Sequence, residues 1–537
     1  MTINALSDID FLVLDNGRFS VRETLLNCHE PEFQLDKQQP GYVYTAQLRL
    51  LCQVAAVALR FESTRPRNLP KEGFSQEAID EALSSLAVGS DPFDKTFPFM
   101  QRPALPQSNA KDKSRELGPG KQPVKKLSPS MLSDEGDHYW NLLTSSKEEL
   151  PLADAILQLV VYHHMSMAGN NAYDGDKCQM GSPAMRFVGA DLTATEMIFH
   201  GKTLMDTLLY QIPASWVEGE GLPAWADRTC EKSLTESSGI MQAHPLWRAT
   251  WSSNTPACYW EDNVLRGVRT GGIPESWYLK HEMGTTKESR KSWWDDRNTR
   301  DPFYLYMPNQ DNELKVQRLD FGRDGTDLAI EWATRNKSKF MLLKFEDRLL
   351  GRPADDTTIL FARHQIAGTA SSPNIRASEI FLPNKNKWAF DLDDETRETI
   401  QAHAEMVQGL HGIVTRPFRR KPSNANGPIP VLEDLAGRKQ DVTTEFWRRI
   451  SSLYVEMLAD IRSHHASFAD EAEKPPFKFT DKFKTRCVET TLDSFDTVVN
   501  PHSAQEPARI AYVRGSLQRI LYGYLSKFQN TSKEEKS

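Results

Sequence analysis

Two adjacent histidines, His163 and His164, are followed in the next loop by two carboxylates, Asp174 and Asp176. Imidazole and carboxylate groups are the ligands of catalytic zinc, so this set could support metal-dependent hydrolysis. The spacing matches no metal motif, and a pair of structural histidines explains it without chemistry. The chain also lacks a G-x-S-x-G elbow, an H-E-x-x-H helix and a credible Cys–His dyad. We therefore expect no enzymatic activity and no bound cofactor or metal.

A second kind of chemistry, contact with nucleic acid, is suggested by the stretch 166–192. Its first half contains the small residues Gly169, Asn170, Asn171 and Ala172. Glycine and asparagine adopt positive φ at low cost, so such a backbone can turn sharply and approach another molecule closely. The alternative interpretation of this stretch is a flexible surface connection without a binding role.

Two further segments could contact nucleic acid. Residues 102–137 are rich in Pro, Ser and Lys and poor in large apolar residues, which predicts a long mobile loop. Its candidate contacts are Lys121, Lys125 and Lys126, with the aromatic residues Tyr139 and Trp140 at its end. The turn Gly368–Ser372 lies between two predicted strands and could form the tip of a hairpin or a loop. Each of these signals is weak when taken alone.

The elements that must hold these segments follow from hydrophobic periodicity. A hairpin turning at Asn16-Gly17 is predicted at 9–26, and the middle of the chain, 240–383, indicates mixed and mostly β structure. The predicted helices of this part are 44–61, 75–86, 152–162 and 195–210, and the predicted strands include 257–260, 303–306, 359–363 and 379–382.

From about residue 391 the pattern becomes helical and remains so. The predicted helices lie near 394–414, 431–437, 441–467, 478–498 and 505–528. In the helix 441–467, which Asp441 would cap, large apolar residues repeat on one face. Four long helices of this kind predict a bundle. We therefore assign an α+β fold, with a large mixed N-terminal domain at 1–390 and a C-terminal four-helix bundle at 391–537.

Length and composition limit the class of protein. A chain of 537 residues exceeds one hydrophobic core, so two or three domains are expected. The net charge of −8 argues against a generic basic nucleic-acid binder, although a ribonucleoprotein subunit can be acidic overall and basic on one face. The six scattered cysteines fit a reducing cytoplasm. We recognise no signal peptide and no membrane span.

The order of several motifs resembles the large subunit of the type I-E CRISPR surveillance complex Cascade, the CasA family. The N-terminal hairpin with the helix 44–61 is similar to the opening of that family, and Pro98-Phe99-Met100-Gln101 matches its P-F-M-Q turn. The helix Ala511-to-Leu525 resembles its last bundle helix. The glycine loop of that family and the residues that follow the loop are similar to Ala168 to Ala172, Gly181-Ser182-Pro183, Phe187-Val188 and Asp191-Leu192 of this sequence.

The resemblance implies a subunit that reads the protospacer-adjacent motif on duplex DNA, opens the duplex and docks a helicase–nuclease. In this family a glycine loop enters the minor groove, a lysine reads the motif, and a hairpin wedge starts unwinding. The residues implied for motif contact are Gly169, Asn170, Asn171, Ala172 and Lys280. The residues implied for the wedge are Ala367, Gly368, Thr369 and Ala370. The family loop is richer in glycine than this one, so the preferred motif does not carry over.

The implied partners are the other Cascade subunits with guide RNA, target double-stranded DNA and the helicase–nuclease effector, in the cytoplasm and without a membrane. The minor groove shows mainly A·T versus G·C, so a reader made of backbone and small side chains should tolerate several motifs. Two other classes remain open on the residues alone. One is a metal-dependent nuclease or hydrolase that uses the histidines and carboxylates named first, and the other is a helical scaffold without nucleic-acid contact.

Overall fold

The computed structural model divides into two compact units, each described by itself below. The first comprises residues up to 320 together with 342–382, and the second comprises 321–341 together with 383–537. The structure describes residues 3–103, 117, 123–130, 149–166, 172–173, 176–177, 182–184, 193–237, 240–273, 277, 279, 283–298, 300–304, 306–308, 314–316, 319, 321, 324–334, 347–350, 357–369, 372–383, 385–388, 394–420, 429–467, 475 and 477–527.

Helices and strands alternate irregularly in the first unit. The described elements of the second unit are helices. The helices are α1 Ala5–Asp8, α2 Val21–Asn27, α3 Gly41–Ala58, α4 Leu69–Glu72, α5 Gln76–Ser85, α6 Leu152–Met165, α7 Leu204–Gln211, α8 Ala214–Val217, α9 Pro245–Thr250, α10 Lys287–Asn298, α11 Thr326–Thr334, α12 Asp394–Val414, α13 Lys439–Ala466, α14 Asp481–Val499 and α15 Pro507–Lys527. The strands are β1 Leu12–Leu14, β2 Gly17–Phe19, β3 Leu150–Pro151, β4 Ala172–Tyr173, β5 Asp176–Lys177, β6 Thr193–His200, β7 Leu234–Ser237, β8 Ile240–Ala243, β9 Ala257–Glu261, β10 Val264–Arg269, β11 Tyr306–Pro308, β12 Leu314–Val316, β13 Thr358–Thr369 and β14 Ser372–Phe381.

Helix α3 lies at the centre of the first unit. All of its residues except Tyr42 and Val43 are buried, and α5, α6, α7 and the strand β13 pack around it. Leu, Val and Ala predominate in its sequence, which favours a helix that can be covered on every side. Because polar groups inside such a core must find partners there, Arg49 and Gln53 of α3 have to be satisfied by residues from elsewhere in the chain.

The largest described sheet of this unit has the antiparallel order β14-β13-β6. Among the described residues, the last pair of β6 with β13 is Thr193 opposite Gln365. Within the same described part, β13 continues from 366 to 369 paired with 372–375 of β14, and we call this part of the sheet the two-stranded arm. The register shifts between Gln365 and Ile366, and a bulge of this kind increases the local twist of a strand pair.

The second unit contains the helices α12 to α15, which pack against one another, and also α11. One face of α13 is buried as predicted, and its buried side chains are Val442, Phe446, Trp447, Ile450, Leu453, Tyr454, Met457, Leu458 and Ile461. Helix α11 comes from 321–341, a segment far earlier in the chain, and it contacts α12 and α13. Its start is fixed by Asp324, which accepts a hydrogen bond from the backbone of Thr326 and pairs with Lys387 at 2.8 Å.

The α+β fold with C-terminal helices is confirmed, while several predicted elements differ. Residues 21–27 are helical and not part of a strand, because Ser20 caps α2 by accepting from the Glu23 amide at 3.1 Å. The predicted helix 195–210 is the strand β6 followed by the shorter helix α7. The alternating side chains of β6 gain ladder bonds from β13, which a local pattern cannot reveal.

Two smaller predictions were also wrong. Phe303 and Tyr304 lie in a turn and only Tyr306 begins a strand, because Asp301 accepts a hydrogen bond from the Phe303 amide. Helix α13 begins at Lys439, so Asp441 lies in its first turn, where it pairs with Arg438 and does not cap the helix. Among the described residues, no helix combines the length and apolarity that crossing a lipid bilayer would require.

Candidate nucleic-acid interface

The loop that carries the glycine and asparagine residues leaves from the end of α6 and returns to the same place. Helix α6 ends at Met165, and the Ser166 amide still bonds to the Tyr162 carbonyl at 3.0 Å. On the return side, the Ser182 hydroxyl and the Ala184 amide both donate to the carbonyl of His164, at 2.7 and 2.8 Å. Ser182 and Ala184 are fully buried. The base of the loop is therefore anchored in the core of the first unit.

Within this loop the structure describes one short antiparallel pair. Strand β4 begins at Ala172, which lies opposite Lys177, and Tyr173 lies opposite Asp176. The sequence contains a signal for this hairpin that our prediction missed, the dipeptide Asp174-Gly175 between the two strands. The other predicted motif contacts, Gly169, Asn170, Asn171 and Lys280, lie outside the described residues.

The predicted wedge lies at the end of the two-stranded arm. The backbone of Ala367, Gly368 and Thr369 belongs to β13 and faces Asn374, Pro373 and Ser372 of β14, while Ala370 lies outside the described residues. The root of the arm is formed by Ile366 and Ile375, which are buried and each 1% exposed. The Ile375 amide also donates to the Pro129 carbonyl at 2.8 Å. The hairpin predicted at Gly368–Ser372 is thus confirmed, and its root is buried.

Part of the lysine-bearing segment differs from the mobile loop that its composition predicts. Residues 123–130 pack on the first unit, with Val124 and Leu127 buried in a single 3₁₀ turn. Lys125 and Lys126 lie between these two anchors and are half-buried. Lys121, Tyr139 and Trp140 lie outside the described residues.

The paired histidines occupy structural positions. The indole Nε1 of Trp225 donates to Oε1 of Gln53 at 2.8 Å, which leaves the amide nitrogen of Gln53 to donate to Nε2 of His164, also at 2.8 Å. The other ring nitrogen, Nδ1, must then carry the proton and donate to the Val160 carbonyl at 2.9 Å. His164 is therefore a neutral imidazole with both nitrogens engaged.

The surroundings of His164 keep it neutral. Burial lowers the pKa of His164 to about 3, since a charged imidazolium would be desolvated there. His163 is buried beside it, and its Nε2 donates to the Thr250 carbonyl at 3.0 Å. With no lone pair of His164 left over, this ring cannot bind a metal ion as it stands. The side chains of Asp174 and Asp176 lie outside the described part of the chain.

A buried charged cluster that the sequence analysis missed joins α3 to the sheet. The Arg49 guanidinium donates to Glu196 of β6 at 2.8 Å and binds both carboxylate oxygens of Asp301, at 3.0 and 3.1 Å. Glu196 also contacts Nε2 of His364 on β13 at 3.2 Å. The guanidinium lies 4.1 Å from the centre of the Phe303 ring. The sequence signal for this cluster was a charged residue, Arg49, within a mainly apolar helical run.

The charges of this cluster stabilise one another. Burial alone would lower the pKa of Arg49, but the carboxylates of Asp301 and Glu196 outweigh it and raise the pKa overall. Burial likewise opposes the charge of Glu196, and Arg49 and His364 still hold its pKa below the ordinary value. Removing one member would leave an uncompensated buried charge, which typically costs about 3–5 kcal/mol.

A family model for the CRISPR-associated protein Cse1 matches residues 18–476. That range covers well over half of the sequence. The chain belongs to the Cse1 family of CRISPR-associated proteins. The resemblance seen in the sequence is therefore confirmed at the level of the family. No curated protein gives a significant sequence match.

Solved structures of other Cse1 chains share the fold at low identity. CasA (Cse1) of Thermus thermophilus is 17% identical with a TM-score of 0.57, and the match covers 98% of this chain and 99% of that one. Cse1 of Thermobifida fusca is 12% identical with a TM-score of 0.56, covering 98% of both chains. A chain of a CRISPR RNA-guided surveillance complex in a pre-nicking state is 14% identical with a TM-score of 0.57, covering 97% of this chain and 98% of that chain.

The P-F-M-Q turn of this Cse1 chain serves packing in the described structure. Phe99 is fully buried and meets the ring of Trp225 edge to face. Met100 has a φ of 51°, a left-handed conformation that costs energy for this side chain. Gln101 fastens the turn, because its Nε2 donates to the Pro92 carbonyl at 3.0 Å and its Oε1 accepts from Trp260 at 3.0 Å.

Trp293 is followed by a second tryptophan in the sequence, and exposed aromatic rings can stack on bases. This side chain is 7% exposed and meets Trp251 edge to face within a hydrophobic cluster of the first unit. Trp293 is therefore a core residue of this Cse1 chain.

Proposed function

We propose that the chain is the non-catalytic large subunit of a type I-E CRISPR RNA-guided surveillance complex. In that role it recognises the protospacer-adjacent motif in duplex DNA, promotes strand opening and recruits a helicase–nuclease. Family membership supports the setting, as does the likeness to a chain of an RNA-guided surveillance complex. The partners are then the other Cascade subunits with guide RNA, the target duplex and the effector.

The two-stranded arm of β13 and β14 is the observation that carries this proposal. The arm extends beyond the last described pair of β6 with β13, and its root is packed at Ile366 and Ile375. A narrow element that enters a duplex must resist bending when base pairs are pushed apart, since unstacking costs a few kcal/mol per step. An arm with a buried root and a short tip around Gly368 and Thr369 has this property.

The anchored loop supplies the second contact. Its described ends are fixed at the end of α6, because Ser182 and Ala184 donate to the His164 carbonyl. A run of small residues allows the backbone to approach base edges in the minor groove, where few features distinguish sequences. Sequence beyond the motif is read by pairing with the guide RNA, as in other RNA-guided effectors.

The proposal is tested by co-expressing the chain with its genomic neighbours. We expect guide RNA and further subunits to co-purify with it. The assembled complex should then select a short flanking motif from duplexes that carry a guide-matched sequence beside randomised base pairs. The control is the same assembly without this chain. Equal motif selection by both assemblies would overturn the proposed function.

A further inference from the structure

The anchored loop and the two-stranded arm are both connected to helix α3 by buried polar contacts. Arg49 and Gln53 lie one turn apart on α3 and are 3% and 2% exposed. We name this pair the α3 polar pair. Gln53 is connected to the anchored loop, and Arg49 is connected to the two-stranded arm.

Gln53 leads to the loop. Its amide nitrogen donates to His164, whose carbonyl accepts from both Ser182 and Ala184 on the return side of the loop. A second contact reaches the same place, because the Tyr304 hydroxyl donates to the Ala184 carbonyl. The base of the loop is therefore held through Gln53 and through the ring of Tyr304.

Arg49 leads to the arm. It bonds to Glu196, which contacts His364 on β13 at 3.2 Å, and the other ring nitrogen of His364 contacts the Ser378 hydroxyl on β14 at 2.8 Å. His364 thus connects β6 with β14 next to the last described pair of β6 and β13. Arg49 also binds Asp301, three residues before Tyr304, so the two branches share one turn of chain.

The start of α3 contacts β14 just before the root of the arm. Helix α3 has no side-chain cap of its own, and the Tyr42 amide donates to the Ser378 hydroxyl at 3.0 Å. A Cβ on Gly41 would lie 2.7 Å from the Glu379 carbonyl oxygen, which real side chains do not tolerate. The helix and β14 therefore meet with no spare room at this point.

We propose that the α3 polar pair sets the spacing between the loop and the arm, and that Arg49 is a positioning residue for strand opening. This inference rests on the proposed function. A motif reader and a wedge must engage neighbouring base pairs of one duplex, so a shift between them uncouples finding the motif from opening the strands. Apolar contacts alone would allow such a shift, whereas a bidentate pair of an arginine fixes direction as well as distance.

Arg49→Lys is the central test, because lysine keeps the charge but cannot bind Glu196 and Asp301 as a fork. Arg22→Lys is the matched control, since Arg22 makes a bidentate pair with Asp80 at the surface of the same unit. Both variants are assembled with partner subunits and guide RNA. Opening is followed with a fluorescent base analogue next to the motif, on a fully paired duplex and on one with mismatches already open at that place.

We expect Arg49→Lys to bind the motif duplex within about twofold of the parent but to open the paired duplex roughly 2- to 30-fold more slowly. The pre-opened duplex should restore the rate, and Arg22→Lys should behave as the parent on both duplexes. Equal slowing on both duplexes, or loss of opening in proportion to loss of folded protein, would show a merely structural role and overturn the inference. So would a rate equal to that of Arg22→Lys.

Ser378→Ala provides a second variant if Arg49→Lys does not fold. It removes one hydroxyl on β14, three residues from Ile375 at the root of the arm, and the same selective slowing is expected. Failure of the proposed function looks different from failure of this inference. If variants at the tip, such as Thr369→Glu, open DNA normally, the proposed function fails and the inference falls with it. If the tip variants are defective while Arg49→Lys and Ser378→Ala are normal, only the inference is overturned.

Discussion

Trp225 and Gln53 lie 172 residues apart in sequence and share a 2.8 Å hydrogen bond from the indole nitrogen to the amide oxygen. This bond determines which end of Gln53 faces His164, and so which nitrogen of His164 carries its proton. The contact explains why two adjacent histidines, which could have indicated a metal centre, belong to the core of the first unit.

The neutral state of His164 predicts a loss of stability in mild acid. Its pKa is about 3 in the folded chain against an ordinary value of 6.5. Between those values the unfolded chain holds a proton that the folded chain does not, so this stability is complete above about pH 6.5 and is lost as the pH falls. The slope is up to about 1.4 kcal/mol per pH unit. We expect this slope to be absent in His164→Gln when the free energy of unfolding is measured in urea by tryptophan fluorescence. Parallel pH curves for the two proteins would contradict it.

Gly169→Asp should weaken binding of the target duplex by the assembled complex. A side chain at this position obstructs the approach of the backbone to the groove, and a negative charge adds repulsion from phosphates. We expect a loss of about 1–3 kcal/mol, the scale of one mismatched base pair. Gly169→Asn has nearly the same size without the charge and separates the two effects. Unchanged affinity in Gly169→Asp, with unchanged thermal stability, would remove this loop from the motif contacts.

Thr369→Glu should impair strand opening more than initial binding, because a wedge acts after the motif has been found. The change puts a charge next to phosphates at the end of the arm. Thr235→Glu is the matched control, since Thr235 is an exposed strand residue in another hairpin of the same unit. Binding to a short motif duplex and opening of a longer one are measured separately. Equal effects of the two substitutions would speak against a wedge at this position.

The lysine-bearing segment should show uneven proteolysis. Its composition predicts rapid trypsin cleavage of the free chain within 102–137 and protection on assembly. Lys125 and Lys126 should be cut more slowly than Lys121, because Val124 and Leu127 are buried on either side of them. Mass spectrometry of early fragments provides the measurement. Equal cleavage of the free and assembled protein would exclude docking of this segment onto partner subunits.

The C-terminal helices should fold as a unit. A fragment of residues 391–537 is predicted to be soluble and helical by circular dichroism, because the apolar faces of its long helices complete one another. Its free energy of unfolding should be lower than that of a fragment that also carries 321–341 and 383–390. In the larger fragment α11 packs on α12 and α13, and Lys387 pairs with Asp324. A spectrum with little helix would show that the bundle depends on the rest of the chain.

Sequence alone was sufficient wherever structure depends on near neighbours. The helix 394–414 was predicted with its observed bounds, and the apolar repeat in 441–467 indicated a buried face of α13. The hairpin tip around Gly368 was found as well. Helical hydrogen bonds join residues four apart and a tight turn closes within a few residues, so a local pattern contains most of the information needed.

Tertiary structure decided the features that depend on distant partners. The segment 195–200 is a strand because β13 offers it a ladder, although its composition also suits a helix. Arg49 finds Asp301 at a separation of 252 residues and Glu196 at 147, which no spacing in the sequence reveals. A strand and a buried charge each need partners that only folding brings together. For the same reason the motif order could indicate the family, while the connection of the loop and the arm through α3 became visible only in three dimensions.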